Sequence, residues 1–172
     1  TCPLPFRART LDKTRDHIMI DGNTTAGLGC LFAGATVGAW YPITPSTSVM
    51  DSFKRFCEKY RKDPETGKAN YCIIQAEDEL GAIGMVLGAS WNGARSFTPT
   101  SGPGISLMNE FLGYGYFTEI PAVLFDVQRC GPSTGMPTRT QQADIMACAY
   151  ASHGDTRHVL LFPANPEEAF YL

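Results

Sequence analysis

The stretch Trp40-Tyr41-Pro42-Ile43-Thr44-Pro45-Ser46-Thr47 joins a predicted strand to a predicted helix. Ala39 to Tyr41 is expected to be a short strand, and Ser46 is expected to cap a helix that runs to about Arg61. In a sheet of parallel strands, ligands bind beside the loops that follow the carboxyl ends of the strands. The prolines on either side of Thr44 restrict the backbone and give its hydroxyl a defined place. The stretch therefore predicts a ligand-binding loop, and the alternative is a rigid turn that only begins the helix.

Two further segments stand at predicted starts of helices. Glu77-Asp78-Glu79 opens a helix rich in small residues that is expected to end at Trp91. Thr100-Ser101-Gly102-Pro103-Gly104 follows a predicted strand, Ala94 to Thr98, and leads into a predicted helix, Gly104 to Tyr114. Hydroxyl groups and open backbone amides suit a binding loop, although a simple strand-to-helix turn uses similar residues.

The other predicted elements continue the alternation of strands and helices. They are a helix that Asp21-Gly22-Asn23-Thr24 begins and that extends to Ala39, a buried strand at Tyr71 to Ile74, the clearest strand at Ala122 to Val127, a helix from Thr140 to Tyr150, a last strand at His158 to Phe162, and a helix start at Asn165. Such alternation predicts an α/β fold with a doubly wound, mostly parallel sheet. Residues 1–16 read as a linker or arm, and residues 17–172 as one domain, expected to be a piece of a longer polypeptide.

Composition excludes several classes of function. The chain has 172 residues with 14 basic and 17 acidic side chains, a net charge of −3, and no basic block that would bind nucleic acid or an acidic membrane surface. No apolar run reaches the roughly 18 residues that span a bilayer, and the N-terminus is not a secretory signal, so we expect a cytoplasmic protein. The six cysteines are dispersed and never form Cys-x-x-Cys, so no metal site is predicted.

Glu79 is the leading candidate for chemistry. On a helix it shares a face with Ile83 and Val86, so its carboxyl group would leave the first turn along an apolar stripe. Glu77 is the fallback candidate. The alternative is that the acidic residues Glu77, Asp78 and Glu79 only favour a helix N-terminus electrostatically.

Three glycines make the same predicted helix unusually slim. Gly81, Gly84 and Gly88 each cost roughly 0.5–1 kcal/mol relative to alanine at a helix position, so a physical reason for them is expected. Close approach of a second subunit is one reason, and tight packing within the domain is the other.

Arg129 directly follows the clearest predicted strand, so its guanidinium should emerge at the ligand-binding edge of the sheet. A guanidinium is a bidentate partner for a carboxylate. Arg139 is the alternative anion binder, and an ordinary surface arginine is the other reading for either residue.

Together these motifs resemble the pyrimidine-binding domain of the 2-oxoacid:ferredoxin oxidoreductases, which use thiamine diphosphate to decarboxylate 2-oxoacids oxidatively. The resemblance runs from about Arg15 to the last residue, and the segment from Cys130 to Pro137 is typical of 2-oxoglutarate-type alpha subunits. In this family the glutamate that hydrogen-bonds N1′ of the aminopyrimidine stands nine residues before a Gly-Ala pair. Here Glu79 stands nine residues before Gly88-Ala89.

The resemblance implies roles for further residues and for partners. Thr44 and Arg129 would bind the substrate carboxylate, and the cofactor would contact Pro42, Thr100, Ser101 and Gly102. Thiamine diphosphate would be shared with a beta subunit that carries the diphosphate and Mg²⁺ site and an iron–sulfur cluster, in a hetero-oligomer. Ferredoxin and coenzyme A would accept the electrons and the acyl group. The alternative is a non-catalytic scaffold or regulatory domain of the same fold.

Overall fold

The structure, a computed structural model, describes residue 9, residues 11–134, residue 139 and residues 141–172. Within them the chain forms four strands and six α-helices, with one 3-10 turn at Asp12–Thr14. The strands are β1 (Val37–Trp40), β2 (Cys72–Gln75), β3 (Ser96–Thr100) and β4 (Val123–Asp126). The helices are α1 (Gly22–Phe32), α2 (Thr47–Tyr60), α3 (Glu79–Trp91), α4 (Gly102–Phe117), α5 (Ile145–Ala149) and α6 (Pro166–Tyr171).

The strands form one parallel sheet in the order β2-β1-β3-β4. The register pairs Trp40 with Gln75 at the end of β1 and Thr100 with Asp126 at the end of β3. Because all four strands run the same way, their carboxyl ends meet at one edge of the sheet. The predicted parallel α/β fold is confirmed.

Helices cover both faces of the sheet. Phe97 of β3 stacks edge to face on Phe53 of α2, with ring centroids 4.8 Å apart, and Phe125 of β4 joins the same cluster. Leu124 instead packs against a second cluster that includes Ile83 of α3 and Met108 of α4. Since neighbouring residues of a strand point to opposite faces, the two clusters lie on the two sides of the sheet, as a doubly wound fold requires.

The glycine-rich helix α1 approaches two other backbones closely. A methyl group on Gly27 would lie 2.8 Å from Phe53 N in α2, and one on Gly29 would lie 2.7 Å from Phe170 O in α6. Only glycine permits these separations, so α1 packs directly against the backbones of α2 and α6.

The first helix was predicted to extend to Ala39, and this is wrong. It ends at Phe32, because Gly34 adopts a left-handed conformation (φ +86°) and its amide bonds back to Leu31 O. The expected buried strand at Tyr71 to Ile74 is also only partly right. Strand β2 covers Cys72–Gln75 and so includes three of the four predicted residues, but it lies at the edge of the sheet and Cys72, Ile74 and Gln75 are exposed.

Two predictions for the C-terminal part of the chain differ from the structure. The helix expected over Thr140 to Tyr150 covers only Ile145–Ala149, and Thr140 lies outside the described residues. No strand forms at His158 to Phe162, which runs without a ladder partner in the described chain, although the His158 amide bonds to Ala149 O at 3.0 Å.

The remaining boundaries agree to within about three residues. Asn165 begins α6 as predicted, and its side-chain oxygen accepts a hydrogen bond from the Glu168 amide. The division into an arm over residues 1–16 and a domain over residues 17–172 stays a prediction. Across the described ranges, no helix has both the length and the apolar character needed to span a bilayer.

Candidate functional site

Three strand-to-loop junctions meet at the carboxyl edge of the sheet. Strand β3 lies between β1 and β4, so the loop after β1 and the segment after β4 flank the start of α4. The Val127 amide donates to Thr100 O at 2.9 Å, which extends the pairing of β3 with β4 to this edge. The loop after β1, the start of α4 and the segment after β4 therefore belong to one region of the molecule.

Glu79 is the first residue of α3 and is held there by its neighbour. The Asp78 side chain caps the helix, accepting a hydrogen bond from the Gly81 amide at 2.7 Å. Ile83 and Val86 are fully buried on the face that Glu79 shares, as the spacing predicted. Glu79 itself is only 6% exposed, whereas Glu77 is exposed. The leading candidate, Glu79, is therefore buried, and the fallback candidate, Glu77, is exposed to solvent.

The side chains of Glu79 and Thr100 both approach Gly104 in the first turn of α4. A methyl group placed on Gly104 would collide with Thr100 Oγ1 and would lie 3.0 Å from Glu79 Cγ. The hydroxyl of Thr100 and the side chain of Glu79 thus approach the same point above Gly104. Gly104 was quoted as part of the motif but was not assigned a role, and its importance depends on this three-dimensional contact.

Two buried hydroxyl groups, one on β3 and one at the start of α4, lack hydrogen-bond partners. Ser101 is completely buried at the N-cap position of α4, and neither its Oγ nor that of the buried Thr98 on β3 is bonded. Buried polar groups normally have a partner, and each one that lacks it calls for an explanation such as a bound ligand or water. A polar ligand at the start of α4 would satisfy the Ser101 hydroxyl.

A pair of carboxyl groups that the sequence analysis missed stands beside Gly102. Asp126 ends β4, and Asp144 lies against Gly102, where a methyl group would collide with its carboxylate. Burial, together with the nearby charge of Asp144, raises the pKa of Asp126 to about 6. The Cys148 thiol donates to Asp126 Oδ2 at 3.6 Å, and burial raises the pKa of that thiol to about 12. The sequence could have indicated Asp126, because it stands at the carboxyl end of the clearest predicted strand, where ligands bind in a parallel sheet.

Thr44 and Arg129 are brought together. Arg129 is only 7% exposed, and its Nη1 donates to Thr44 O at 3.0 Å. Its Nε is buried without a partner, and no carboxylate of the described chain forms an ion pair with it. Arg139, the alternative anion binder, is exposed, and Pro42 lies exposed two residues before Thr44. A buried guanidinium with a free donor is a site for an anion.

Glu79, Thr100, Ser101 and Arg129 are buried, whereas Pro42 and Thr44 are exposed at the same end of the sheet. A cleft of about 370 Å³ lies beside α4 and α5 and is lined by Ile105, Asn109 and Tyr150 among others, but by none of the predicted site residues. Among the described residues, no three His, Cys, Asp or Glu side chains are placed to hold a metal ion.

Comparison with known proteins relates this geometry to a family. Residues 28–172 match the family model described as pyruvate flavodoxin/ferredoxin oxidoreductase, thiamine diP-bdg. The chain is 44% identical over 151 residues to 2-oxoglutarate synthase subunit KorA of Methanocaldococcus jannaschii, covering 88% of this chain and 39% of that protein. It is 40% identical over 164 residues to the 2-oxoacid:ferredoxin oxidoreductase subunit alpha of Saccharolobus solfataricus, covering 94% of this chain and 26% of the relative.

A solved structure shows the same fold. The 2-oxoglutarate:ferredoxin oxidoreductase from Magnetococcus marinus, with 2-oxoglutarate, coenzyme A and succinyl-CoA bound, superposes with a TM-score of 0.78 and 39% sequence identity. The match covers 91% of this chain and 26% of that one. The chain therefore spans between about a quarter and two-fifths of the length of these relatives.

Proposed function

Because the chain belongs to the thiamine-diphosphate-binding family of pyruvate flavodoxin/ferredoxin oxidoreductases, we propose that it forms the pyrimidine-binding half of a 2-oxoacid:ferredoxin oxidoreductase. The reaction is the oxidative decarboxylation of a 2-oxoacid to an acyl-CoA and CO₂, with reduction of ferredoxin. The names of the curated relatives support 2-oxoglutarate as the substrate.

The observation that carries the proposal is the buried carboxyl group of Glu79 at the carboxyl edge of the sheet. The Glu79 side chain and the Thr100 hydroxyl both approach Gly104 of α4, and the unpartnered Ser101 hydroxyl lies at the start of that helix. A heteroaromatic ring with ring nitrogens and an amino group would supply partners to such a set of side chains. The residues present therefore fit an aminopyrimidine.

Thiamine diphosphate, when bound, supplies the nucleophilic carbon that adds to the 2-oxo group and the electron sink that permits loss of CO₂. Glu79 would share a proton with N1′ of the aminopyrimidine through its carboxyl oxygen. Thr100, Ser101 and Gly102 would line the cofactor, with Pro42 contributing from the loop after β1. Glycine at positions 102 and 104 leaves the room that the Asp144 carboxylate and the Thr100 hydroxyl occupy.

Arg129 and Thr44 bind the carboxylate of the 2-oxoacid. Arg129 is a buried cation whose Nε has no partner and is closed to solvent, so a carboxylate that reaches it after a local rearrangement would gain a charge-assisted hydrogen bond. The Thr44 hydroxyl belongs to an exposed residue of the facing loop and is accessible to the same anion. Arg139 is the less favoured alternative because its side chain is exposed.

The remaining parts of the catalyst are proposed to lie on other polypeptide segments. A beta subunit would hold the diphosphate and Mg²⁺, and with them an iron–sulfur cluster that passes electrons to ferredoxin. Coenzyme A would accept the acyl group, and the assembly would be a cytoplasmic hetero-oligomer. The sequence of this chain contains no Gly-Asp-Gly segment of the kind that binds the diphosphate and magnesium in this family.

Reconstitution with the beta subunit tests the proposal. We expect reduction of ferredoxin that depends on thiamine diphosphate, coenzyme A and a 2-oxoacid, with the highest kcat/KM for 2-oxoglutarate in a panel that includes pyruvate and branched-chain acids. A complex that binds thiamine diphosphate but reduces ferredoxin with no member of the panel would support the scaffold role instead.

A further inference from the structure

A hydrogen bond from Arg129 joins two segments that lie at the carboxyl ends of the strands. Thr44 lies in the loop after β1, and Arg129 lies in the segment after β4, 85 residues later in the chain. The two strands are not neighbours, because β3 separates them. The hydrogen bond from Arg129 Nη1 to Thr44 O, at 3.0 Å, therefore crosses above the end of β3, where the start of α4 lies.

Few other bonds hold the loop that follows β1. Within residues 41–46, the Ser46 amide and hydroxyl both bond to Ile43 O, at 2.9 and 2.8 Å, and these bonds are local. In the described chain, the side chains that reach the loop from outside it and outside α2 are Asn23, which donates to Pro45 O at 3.0 Å, and Arg129. Asn23 belongs to α1, so Arg129 supplies the tie from the β4 side.

We infer that Arg129 is a positioning residue, which ties the loop over residues 41–46 to the β4 side of the site and thereby sets where the Thr44 hydroxyl stands. The guanidinium divides its donors: Nη1 binds the loop carbonyl, and Nε is buried without a hydrogen-bond partner. An ammonium group has no rigid fork of donors and cannot reproduce this division, so Lys is not an equivalent residue here.

The structural part of this inference, that Arg129 restrains the loop, needs no substrate or cofactor. Its consequence for turnover rests on the proposed function, because only a 2-oxoacid oxidoreductase would use Thr44 against a substrate carboxylate. The two parts are tested by separate measurements.

Amide hydrogen exchange, followed by NMR on the 172-residue chain without ligands, tests the restraint. The Ser46 and Thr47 amides both bond to Ile43 O, so their exchange reports opening of the loop. In Arg129→Lys we expect both amides to exchange about tenfold faster, as loss of a hydrogen bond to a charged group predicts. The Cys72 amide bonds to Thr36 O at the amino ends of the strands, away from the loop. Its exchange rate is the reference for any general loss of stability.

Arg61→Lys is the matched control. Arg61 Nη2 also donates to a backbone carbonyl, Leu31 O at 2.7 Å, but far from the loop in sequence and in the fold. This variant should leave the Ser46 and Thr47 amides unchanged relative to Cys72. If Arg129→Lys accelerates Ser46 and Thr47 no more than it accelerates Cys72, Arg129 does not restrain the loop and the inference fails, whatever the enzyme does.

A double-mutant cycle in the assembled enzyme tests the consequence. Thr44→Ala removes the hydroxyl but keeps the carbonyl that Arg129 binds. If Arg129 acts partly through Thr44, the kcat/KM of Arg129→Lys with Thr44→Ala should lie within about twofold of Arg129→Lys alone. Losses that multiply would show that the two residues act independently and would overturn the positioning role in turnover. Absence of any 2-oxoacid turnover in the unmodified enzyme would instead refute the proposed function and leave the exchange result to decide.

Discussion

Burial alters the chemistry of Asp126 at the carboxyl end of β4. It ends β4 opposite Thr100, with the carboxyl group of Asp144 near enough to disfavour a second negative charge. Burial is the larger cause, and the pKa of Asp126 rises from 3.8 to about 6. The unpartnered Oδ1 of Asp126 and Oδ2 of Asp144 are consistent with an edge that carries a proton under mildly acidic conditions.

The raised pKa of Asp126 predicts how stability depends on pH. Between about pH 4 and 6 the folded chain holds a proton that the unfolded chain has released, so the free energy of unfolding falls as pH rises through this window. Asn cannot lose that proton. Asp126→Asn should therefore be more stable than the unmodified chain at pH 7.5, with the difference shrinking toward pH 4.5, in urea unfolding.

Asp63→Asn is a control for which the expected change in stability at pH 7.5 has the opposite sign. Hydrogen bonds from the Thr66 amide and hydroxyl lower the pKa of Asp63, so that side chain favours the folded state when charged, and its replacement should reduce stability at pH 7.5 rather than raise it. A destabilised Asp126→Asn at pH 7.5, or a difference that does not change with pH, would show that the Asp126 carboxylate is better accommodated than its burial implies.

The sequence was informative about single residues where local spacing determines burial. The family resemblance, with its glutamate nine residues before a Gly-Ala pair, favoured Glu79 over Glu77. Helical spacing predicted that Glu79 shares an apolar face with Ile83 and Val86, and those two residues are fully buried. The contacts from Arg129 to Thr44 and from Asp144 to Gly102 could not be predicted in this way. They join segments far apart in the chain and depend on the order of the strands, which local patterns do not specify.

At the scale of elements, the start of α4 is fitted closely to its surroundings. Gly104 lies where any larger side chain would strike Thr100 Oγ1, and Gly84 of α3 faces the ring of Phe111, 3.2 Å from where a methyl group would stand. Gly88 of α3, by contrast, has no atom within 4 Å of that point. Packing within the domain thus accounts for Gly84, while approach of a second subunit stays a prediction for Gly88.

These differences predict opposite effects of two glycine-to-alanine substitutions. Gly104→Ala overpacks the site and should lower the free energy of unfolding by about 1–3 kcal/mol. Gly88→Ala, at an unobstructed helix position, should raise it by about 0.5–1 kcal/mol. Chemical denaturation of the chain measures both. The packing account is contradicted if Gly104→Ala is as stable as the unmodified chain, or if Gly88→Ala is the more damaging of the two.

Helices and strands were predicted best where caps and turn residues mark their ends. Asp78 and Asn165 begin helices through side-chain hydrogen bonds that belong to the residue type. Gly34, at a positive φ just after α1, is the turn residue that the prediction of a helix to Ala39 overlooked. Apolar runs were less reliable, because the same pattern at β2 and at residues 158–162 does not specify which neighbour will cover it. Strand β2 lies at an edge, and Val159, Leu161 and Phe162 are exposed.

At the scale of the whole molecule, the chain presents one side of a site. The candidate residues lie at the carboxyl ends of the strands, and the chain spans only part of the length of its relatives. We therefore propose that this chain binds the aminopyrimidine and that a partner binds the diphosphate with Mg²⁺. In this proposal the carboxyl group of Glu79 activates a cofactor that neither part binds fully alone.

Hydrogen–deuterium exchange at C2 of thiamine diphosphate, in the enzyme assembled with its beta subunit, tests that claim most directly. Gln has the shape of Glu but cannot share the proton with N1′, so Glu79→Gln should slow C2 exchange by about 10²–10⁴-fold, the usual range for acid–base catalysis. Cofactor binding and assembly should change much less. Glu77→Gln, in the exposed neighbour, is the control and should exchange at the unmodified rate. Exchange at the unmodified rate in Glu79→Gln, or a defect confined to Glu77→Gln, would contradict the assignment of Glu79.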